Sequence, residues 1–414
     1  MIKSISKAFA LVSILAVAIA LAPLPADAGS KKDKPLSAPS VFNAEKRKST
    51  RNKWGQRLSY SGYAQFKAQG ETNLGRDDAI LDRRDEMALY LGLVGRVDLG
   101  RRAIGFAHGQ LKWTRKQSHT TDYDPTLQWI TKEAFVSFQL SAKQRLTVGR
   151  MRFSDLTRWV VDASVDGVHF AHRSPDQVTE VAAFAATGDD EGRFVMVHHG
   201  RVLNKLRYGA IALLEDLPND RRLRVSGYAL GQMSKQTSFE ANVAATMSDA
   251  AGTGLAFDVR TTHKFGASRL KPQVLLGFAA GTADFRQSGV HSNKTYNGGQ
   301  TQVHRYGYVF QPDLTNLAVG TVAVGLRPSR NFSVDLGLHV YGQVQKSRSA
   351  PVARFSGAMT GDSRFVGTEV SLVGAWRPNK RSKVDFRVGR FKPGRAFADR
   401  SDVTRVSIRL TTTF

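Results

Sequence analysis

From Leu58 onward the chain alternates apolar and polar residues with a period of two, and the pattern recurs most of the way to Phe414. Successive side chains of a β-strand point to opposite faces, so each such run is a strand with one apolar and one polar side. Leu58, Tyr60, Gly62, Ala64, Phe66 and Ala68 fall on one face; Ser59, Ser61, Tyr63, Gln65, Lys67 and Gln69 fall on the other. Met87, Leu89, Leu91, Leu93 and Val97 repeat the pattern, as do Ile130, Ala134, Val136, Phe138 and Leu140. Further strands are expected at 318–327, 332–345, 366–376 and 383–391. In the last run Thr404, Val406, Ile408, Leu410 and Phe414 share one face, and Arg405, Ser407, Arg409, Thr411 and Thr413 the other.

A secreted β-sandwich or β-solenoid gives the same local alternation, with one face on a core and one in water. Two features favour a closed barrel. The alternation runs on without a domain break, and so many strands left open would expose long unpaired edges. At about 20 residues per strand and connector, residues 58–414 hold about 18 strands, within the range of bacterial membrane barrels. The expected fold is therefore all-β, a transmembrane antiparallel β-barrel of the bacterial outer membrane.

The N-terminus points the same way. Lys3 and Lys7 precede an almost wholly apolar run from Phe9 to Ala22, and Ala26-Asp27-Ala28 reads as a signal-peptidase site. The apolar run is shorter than the ~20 residues that a membrane-spanning helix needs, which disfavours an anchor. Residues 1–28 are expected to be a cleaved signal peptide and 29–57 a basic, flexible periplasmic leader with nine Lys/Arg against Asp33 and Glu45. The barrel is assigned to 58–414, and an aromatic final residue such as Phe414 resembles the terminal signal of outer-membrane proteins.

Charge then becomes informative. The chain carries 60 Lys+Arg against 35 Asp+Glu, a formal net charge of +25, and no cysteine. Disulfides, thiolate metal sites and cysteine nucleophiles are excluded. A polyanionic partner is implied, and export makes nucleic acid an unsuitable one. If the apolar face meets lipid, cations belong inside, because an Arg or Lys near the bilayer midplane on the lipid face costs roughly 2–4 kcal/mol. Alternation places Lys67, Arg387, Arg405 and Arg409 in the lumen, with Asp385 beside Arg387. Such charge enriches anions in a low-dielectric pore, and a polymer with a carboxylate on every sugar engages many weak sites together. Segments 280–300 and 346–364 are polar enough to be long loops, and either is a candidate plug.

Several segments resemble the alginate export family. They are Val303-His304-Arg305-Tyr306-Gly307 followed by Leu314-Thr315-Asn316-Leu317, and Gly367-Thr368-Glu369-Val370-Ser371-Leu372. The run from Phe386-Arg387-Val388-Gly389-Arg390 to Phe391-Lys392-Pro393-Gly394 is a third, and Lys132-Glu133-Ala134-Phe135 with Val148-Gly149-Arg150-Met151-Arg152 a fourth. The resemblance implies an 18-stranded monomeric barrel that passes an anionic exopolysaccharide through a narrow electropositive constriction. It also implies a periplasmic tetratricopeptide-repeat scaffold as partner. Carried over by position, Lys132, Arg152 and Asp162 match polar pore positions, with Arg150, Arg305 and Glu369 inside the motifs. Gln302, Gln311 and Asp385 stand where the family has arginines, so this constriction is expected to be charged differently.

Parity raises one conflict. Arg150 and Arg152 share the face of Leu146 and Val148, and Lys132 that of Ile130 and Ala134. A bulge at Gly149 would flip the phase for the arginines; Lys132 is assigned to a strand end. No enzyme, cofactor or metal site is expected: neither G-x-S-x-G nor H-E-x-x-H occurs, and adjacent His198 and His199 face opposite ways in a strand. The alternative to a polymer conduit is an anion-selective porin for small solutes.

Overall fold

The computed structural model describes residues 48–51, 57–72 and 83–414, apart from 101, 119–121, 187–191, 267 and 356. The expected signal peptide lies outside the described residues, as does most of the leader. The end of that leader forms a short strand, β1 (Lys48–Arg51), paired with the start of β2 (Arg57–Thr72).

The next strands are β3 (Arg83–Asp98), β4 (Ala103–Ser118), β5 (Thr126–Gln139), β6 (Gln144–Ser154), β7 (Asp162–Arg173) and β8 (Gln177–Ala186). Then come β9 (Arg193–Leu203), β10 (Leu206–Leu217), β11 (Asp220–Gln232), β12 (Thr237–Ser248), β13 (Gly252–Lys264) and β14 (Gln273–Gly281). A two-residue pair, β15 (Lys294–Thr295) and β16 (Val303–His304), forms a separate hairpin. β17 (Leu317–Ser329), β18 (Phe332–Gln343), β19 (Phe365–Trp376), β20 (Ser382–Pro393) and β21 (Val403–Thr413) complete the order.

Apart from β15 and β16, each strand pairs antiparallel with the next, and β21 returns to pair with β2, Lys67 opposite Arg409. The sheet thus closes into an 18-stranded barrel. Phe414 extends the seam, its N–H and C=O exchanging 3.0 Å hydrogen bonds with Gly62. Closure leaves the sheet without a first or last strand, as a spanning β-structure requires in a medium without water.

The alternation read from the sequence appears as an exposed apolar band. Met87, Leu89, Leu91 and Leu93 are 45–63% exposed while Ala88 is buried. Val243, Leu255, Leu276, Val322, Leu336 and Ile408 continue the band around the barrel. Surface of this kind belongs in lipid. One rim has short turns such as 204–205 and 330–331, and the other carries the long connections 282–316 and 344–364. By the usual outer-membrane arrangement the short turns are periplasmic. Tyr60, Phe265, Trp376 and Phe414 are exposed near that rim, where amphipathic rings suit the membrane boundary.

Two irregularities resolve the parity conflict differently from the sequence expectation. Lys132 is not at a strand end. β4 and β5 pair His108 with Glu133 but Gly109 with Thr131, so Lys132 is the extra residue of a bulge that flips the phase. At Gly149 there is no bulge, and β6 keeps register with both neighbours. Instead the β5–β6 ladder ends at Ala134 opposite Arg150, whereas β6–β7 pairing continues to Ser154 opposite Asp162. Beyond Arg150 this hairpin has left β5, and the turn that joins its strands buries Trp159, Val160 and Val161 in the core. Gly149 has φ 120°, and a Cβ there would lie 2.4 Å from the Ala134 carbonyl oxygen. Only glycine fits.

Candidate functional site: a plugged lumen

The barrel core is built from loops, not from the wall alone. Phe285, Val290, Tyr306, Phe310 and Leu314 of segment 282–316 and Phe355 and Met359 of 344–364 pack with Trp159, Val160 and Val161 in one buried cluster. Segment 282–316 leaves the long-loop rim, runs to the opposite end as the β15–β16 hairpin, and returns. Its tip is tied to the short-turn rim. Asn297 O accepts a hydrogen bond from Arg327 Nη2 at 2.8 Å, and Gln300 N–H donates to Ser333 Oγ at 2.8 Å. Both expected long loops exist, and 282–316 is the one that spans the lumen.

A buried charge cluster holds the middle of this plug. The Arg305 side chain is 1% exposed and pairs with Asp258 at 3.1 Å and with Glu240. Its Nη2 also donates to Thr157 O at 2.6 Å, while Arg260 Nη2 donates to Arg305 O at 2.7 Å. Tyr306 Oη donates to Asp258 at 3.1 Å and accepts from Trp159 Nε1 at 2.7 Å. Burial disfavours the guanidinium, but Glu240 and Asp258 outweigh it and raise the Arg305 pKa above its ordinary value. Arg305 is therefore a structural tie, enclosed in carboxylates, and faces no open lumen.

A second clamp lies one turn on. Glu369 on β19 is fully buried and accepts hydrogen bonds from the backbone N–H groups of Tyr308, Val309 and Phe310, the last two at 2.9 Å. Tyr341 Oη donates to the same carboxylate at 3.2 Å and to Tyr306 O at 2.9 Å. Gly307, with φ 99°, lets the backbone turn under it; a Cβ there would sit 2.2 Å from Tyr341 Oη. Phe310 stacks on Phe391 with centroids 4.7 Å apart, and Phe397 packs edge-on to both. The motifs around 303–307, 367–372 and 386–397 thus meet at one place, the base of the plug.

The remaining sequence-selected residues divide by whether a carboxylate holds them. Arg405 pairs with Glu71 at 2.8 Å and donates to Tyr308 O at 3.0 Å, another plug tie. Lys67 pairs with Glu86 at 3.3 Å, Arg152 with buried Asp162 at 2.5 Å, and Asp385 with Lys383 at 2.7 Å. Arg150 binds Asp166 at 2.6 Å on the face of Val148 and Val168, the outward face, and does not join the luminal group. Lys132, Arg387 and Arg409 have no carboxylate partner among the described residues. Arg387 donates only to Thr301 Oγ1 and Gln302 O, each at 3.3 Å, and Arg409 Nε is buried without a hydrogen bond.

Lys294, which the sequence reading passed over, sits on the plug among these cations. Burial lowers its pKa, Asp162 opposes the shift, and Arg152, Arg387 and Arg409 add to it. Lys132 likewise lies within electrostatic reach of Arg152 and Lys112. Glu240, Asp258 and Arg260 were missed as well, although Phe257-Asp258-Val259-Arg260 alternates apolar residues with charge inside a strand. His198 and His199 face apart as expected, His198 bonded to Glu180 at 2.9 Å and to Tyr228 at 2.7 Å.

Residues 215–409 match the alginate export family. The alginate production protein AlgE of Pseudomonas aeruginosa is 27% identical over 139 residues, covering 30% of this chain and 28% of that protein. The protein of the same name from Azotobacter vinelandii is 26% identical over 176 residues, 36% and 35% of the two chains. The chain thus aligns with about a third of the length of these relatives. Among solved structures, P. aeruginosa OccK7 (OpdD) superposes with TM-score 0.59 at 10% identity, covering 86% of this chain and 99% of that one. The outer membrane protein OprD of P. aeruginosa gives TM-score 0.55 at 9% identity, with 86% and 94% covered. These likenesses are of fold, that of an outer-membrane β-barrel.

Proposed function

We propose that the protein is an outer-membrane conduit for an anionic exopolysaccharide, alginate or a similar polyuronate, passed without energy input along an electropositive luminal path. The observation that carries this reading is how charge is partitioned in the lumen. Acids of the plug side, Asp258, Glu240 and Glu369, are consumed in holding segment 282–316. Among the described residues Lys132, Lys294, Arg387 and Arg409 form no ion pair, so on this reading their field is available to a passing anion. Each contact is worth on the order of 1 kcal/mol in a wet lumen, which permits repeated binding and release along a chain. Arg305 is excluded from the path on this reading, and Arg152 and Lys67 contribute only as members of ion pairs. Signal-peptide cleavage near Ala28, a monomeric state and a periplasmic tetratricopeptide-repeat scaffold belong to the same proposal.

Single-channel recording in planar bilayers tests it. The expected result is low conductance, chloride preferred over potassium, and block by soluble polyuronate. Cation preference, or current unaffected by millimolar polymer, overturns it. The alternative, a porin for small anions, predicts anion selectivity without polymer block.

A further inference from the structure

At the short-turn end, beneath the plug, the lumen opens into a cavity of about 690 Å³. That volume lies within the range of small-molecule sites, roughly 300–1,000 Å³. Tyr296, on the plug hairpin, is 54% exposed in this cavity. The Arg158 guanidinium lies 5.5 Å from its ring centroid. Lys205 and Arg207 line the same cavity, both exposed and neither paired with a carboxylate among the described residues. The other two charges lining the cavity cancel elsewhere: Glu240 is bound by Arg305, and Arg260 by Asp258. The cavity is therefore lined by an aromatic face and by two cations without an ion-pair partner among the described residues.

That combination selects a ligand. A bare inorganic anion has no use for an aromatic platform, and a neutral sugar has no use for two unpaired cations. An acidic pyranose uses both. Its C–H face is apolar enough to cover a tyrosine ring, and its carboxylate suits Lys205 or Arg207. We propose that this vestibule is a loading subsite for uronate rings, with Tyr296 as the stacking platform and Lys205 and Arg207 as the carboxylate partners. The proposal rests on the export reading and adds where the polymer is first held: at the periplasmic end, by the plug itself.

The test is block of single-channel current by short oligogalacturonates added to one side at a time, with maltooligosaccharides as neutral controls. Wild type is expected to be blocked at lower concentration from the short-turn side, by the acidic sugar only. Tyr296→Leu should raise the half-blocking concentration from that side about fivefold, the loss of one aromatic contact, with the chloride-to-potassium ratio unchanged. Tyr296→Phe should retain most of the block. Lys205→Gln with Arg207→Gln should weaken block by the acidic sugar to a similar degree. If Tyr296→Leu blocks like wild type, or Tyr296→Phe is as weak as Tyr296→Leu, or neutral sugars block equally, the subsite is refuted while the conduit stands. If wild type shows neither anion selectivity nor block from either side, the conduit reading fails with it.

Discussion

Glu369 should decide how tightly the lumen is closed. Its carboxylate collects three backbone N–H groups from residues 308–310 and the Tyr341 hydroxyl, all within the buried base of the plug. Replacing it by alanine removes every one of these acceptors. A hydrogen bond to a charged group contributes about 1.5–3 kcal/mol net, so three of them contribute about 5 kcal/mol. Removing a buried carboxylate recovers part of its desolvation cost, and water can reach the freed amides once the segment loosens, which leaves about 3 kcal/mol. That corresponds to about a hundredfold rise in the ratio of unplugged to plugged states. The Arg305 tie is untouched, so the barrel stays folded and only the segment after Gly307 loosens. Bilayer recordings of Glu369→Ala should show larger, noisier openings, with the heat-modifiable mobility of a folded barrel retained on gels. Tyr341→Phe, which removes one 3.2 Å contact to the carboxylate and one 2.9 Å contact to Tyr306 O, should give a smaller change in the same direction. Conductance and noise equal to wild type in a correctly folded Glu369→Ala barrel would refute the assignment of this carboxylate as the plug clamp.

Gly149→Ala places a Cβ against the Ala134 carbonyl in a backbone of positive φ and should cost about 1–3 kcal/mol, read as an earlier thermal loss of folded-barrel mobility. Gly320→Ala, where a Cβ meets nothing, is the matched control and should be near neutral. Lys294→Gln and Arg387→Gln should each lower the chloride-to-potassium ratio, about fivefold for ~1 kcal/mol of lost attraction, without changing gel mobility. His291 in the plug contacts Asp313 at 2.9 Å; burial opposes its protonation, but Asp313 and the Ser288 carbonyl raise its pKa overall. A raised pKa means this tie is complete below about pH 6.5, the value of a free histidine, and is lost as pH rises through the folded value. Current noise should therefore grow on raising the pH above about 6.5, and His291→Gln should abolish that dependence; a pH-independent wild type contradicts the tie.

The wall was legible because lipid imposes a simple rule on it. Outward positions at lipid depth are mostly apolar, so the period-two pattern of β2, β3 and β21 states both the strand and its direction of facing. The inward assignments of Lys67, Arg387, Arg405 and Arg409 follow from the same parity. Where the parity misled, the cause was local. At Lys132 one extra residue reverses the phase, and at Gly149 the hairpin departs from its neighbour without losing register. Neither event changes composition enough to be seen in a linear pattern.

The plug obeys no period, because beyond the short β15–β16 ladder its backbone polar groups are satisfied by scattered side chains and backbone groups of the wall and loops. That is why Arg305 misled. An arginine inside a motif shared with an export family reads as a ligand-facing charge, yet its three-dimensional neighbours are two carboxylates from β12 and β13, 65 and 47 residues away in sequence. A visible clue did exist. Glu240, Asp258 and Arg260 lie on the inward face of strands whose outward face is apolar, and a closed wall cannot hold so many acids inside without internal cations to pair them. The plug supplies Arg305 from the loop side, and the strands supply Arg260. With those acids paired, Lys132, Lys294, Arg387 and Arg409 are left without an ion-pair partner among the described residues.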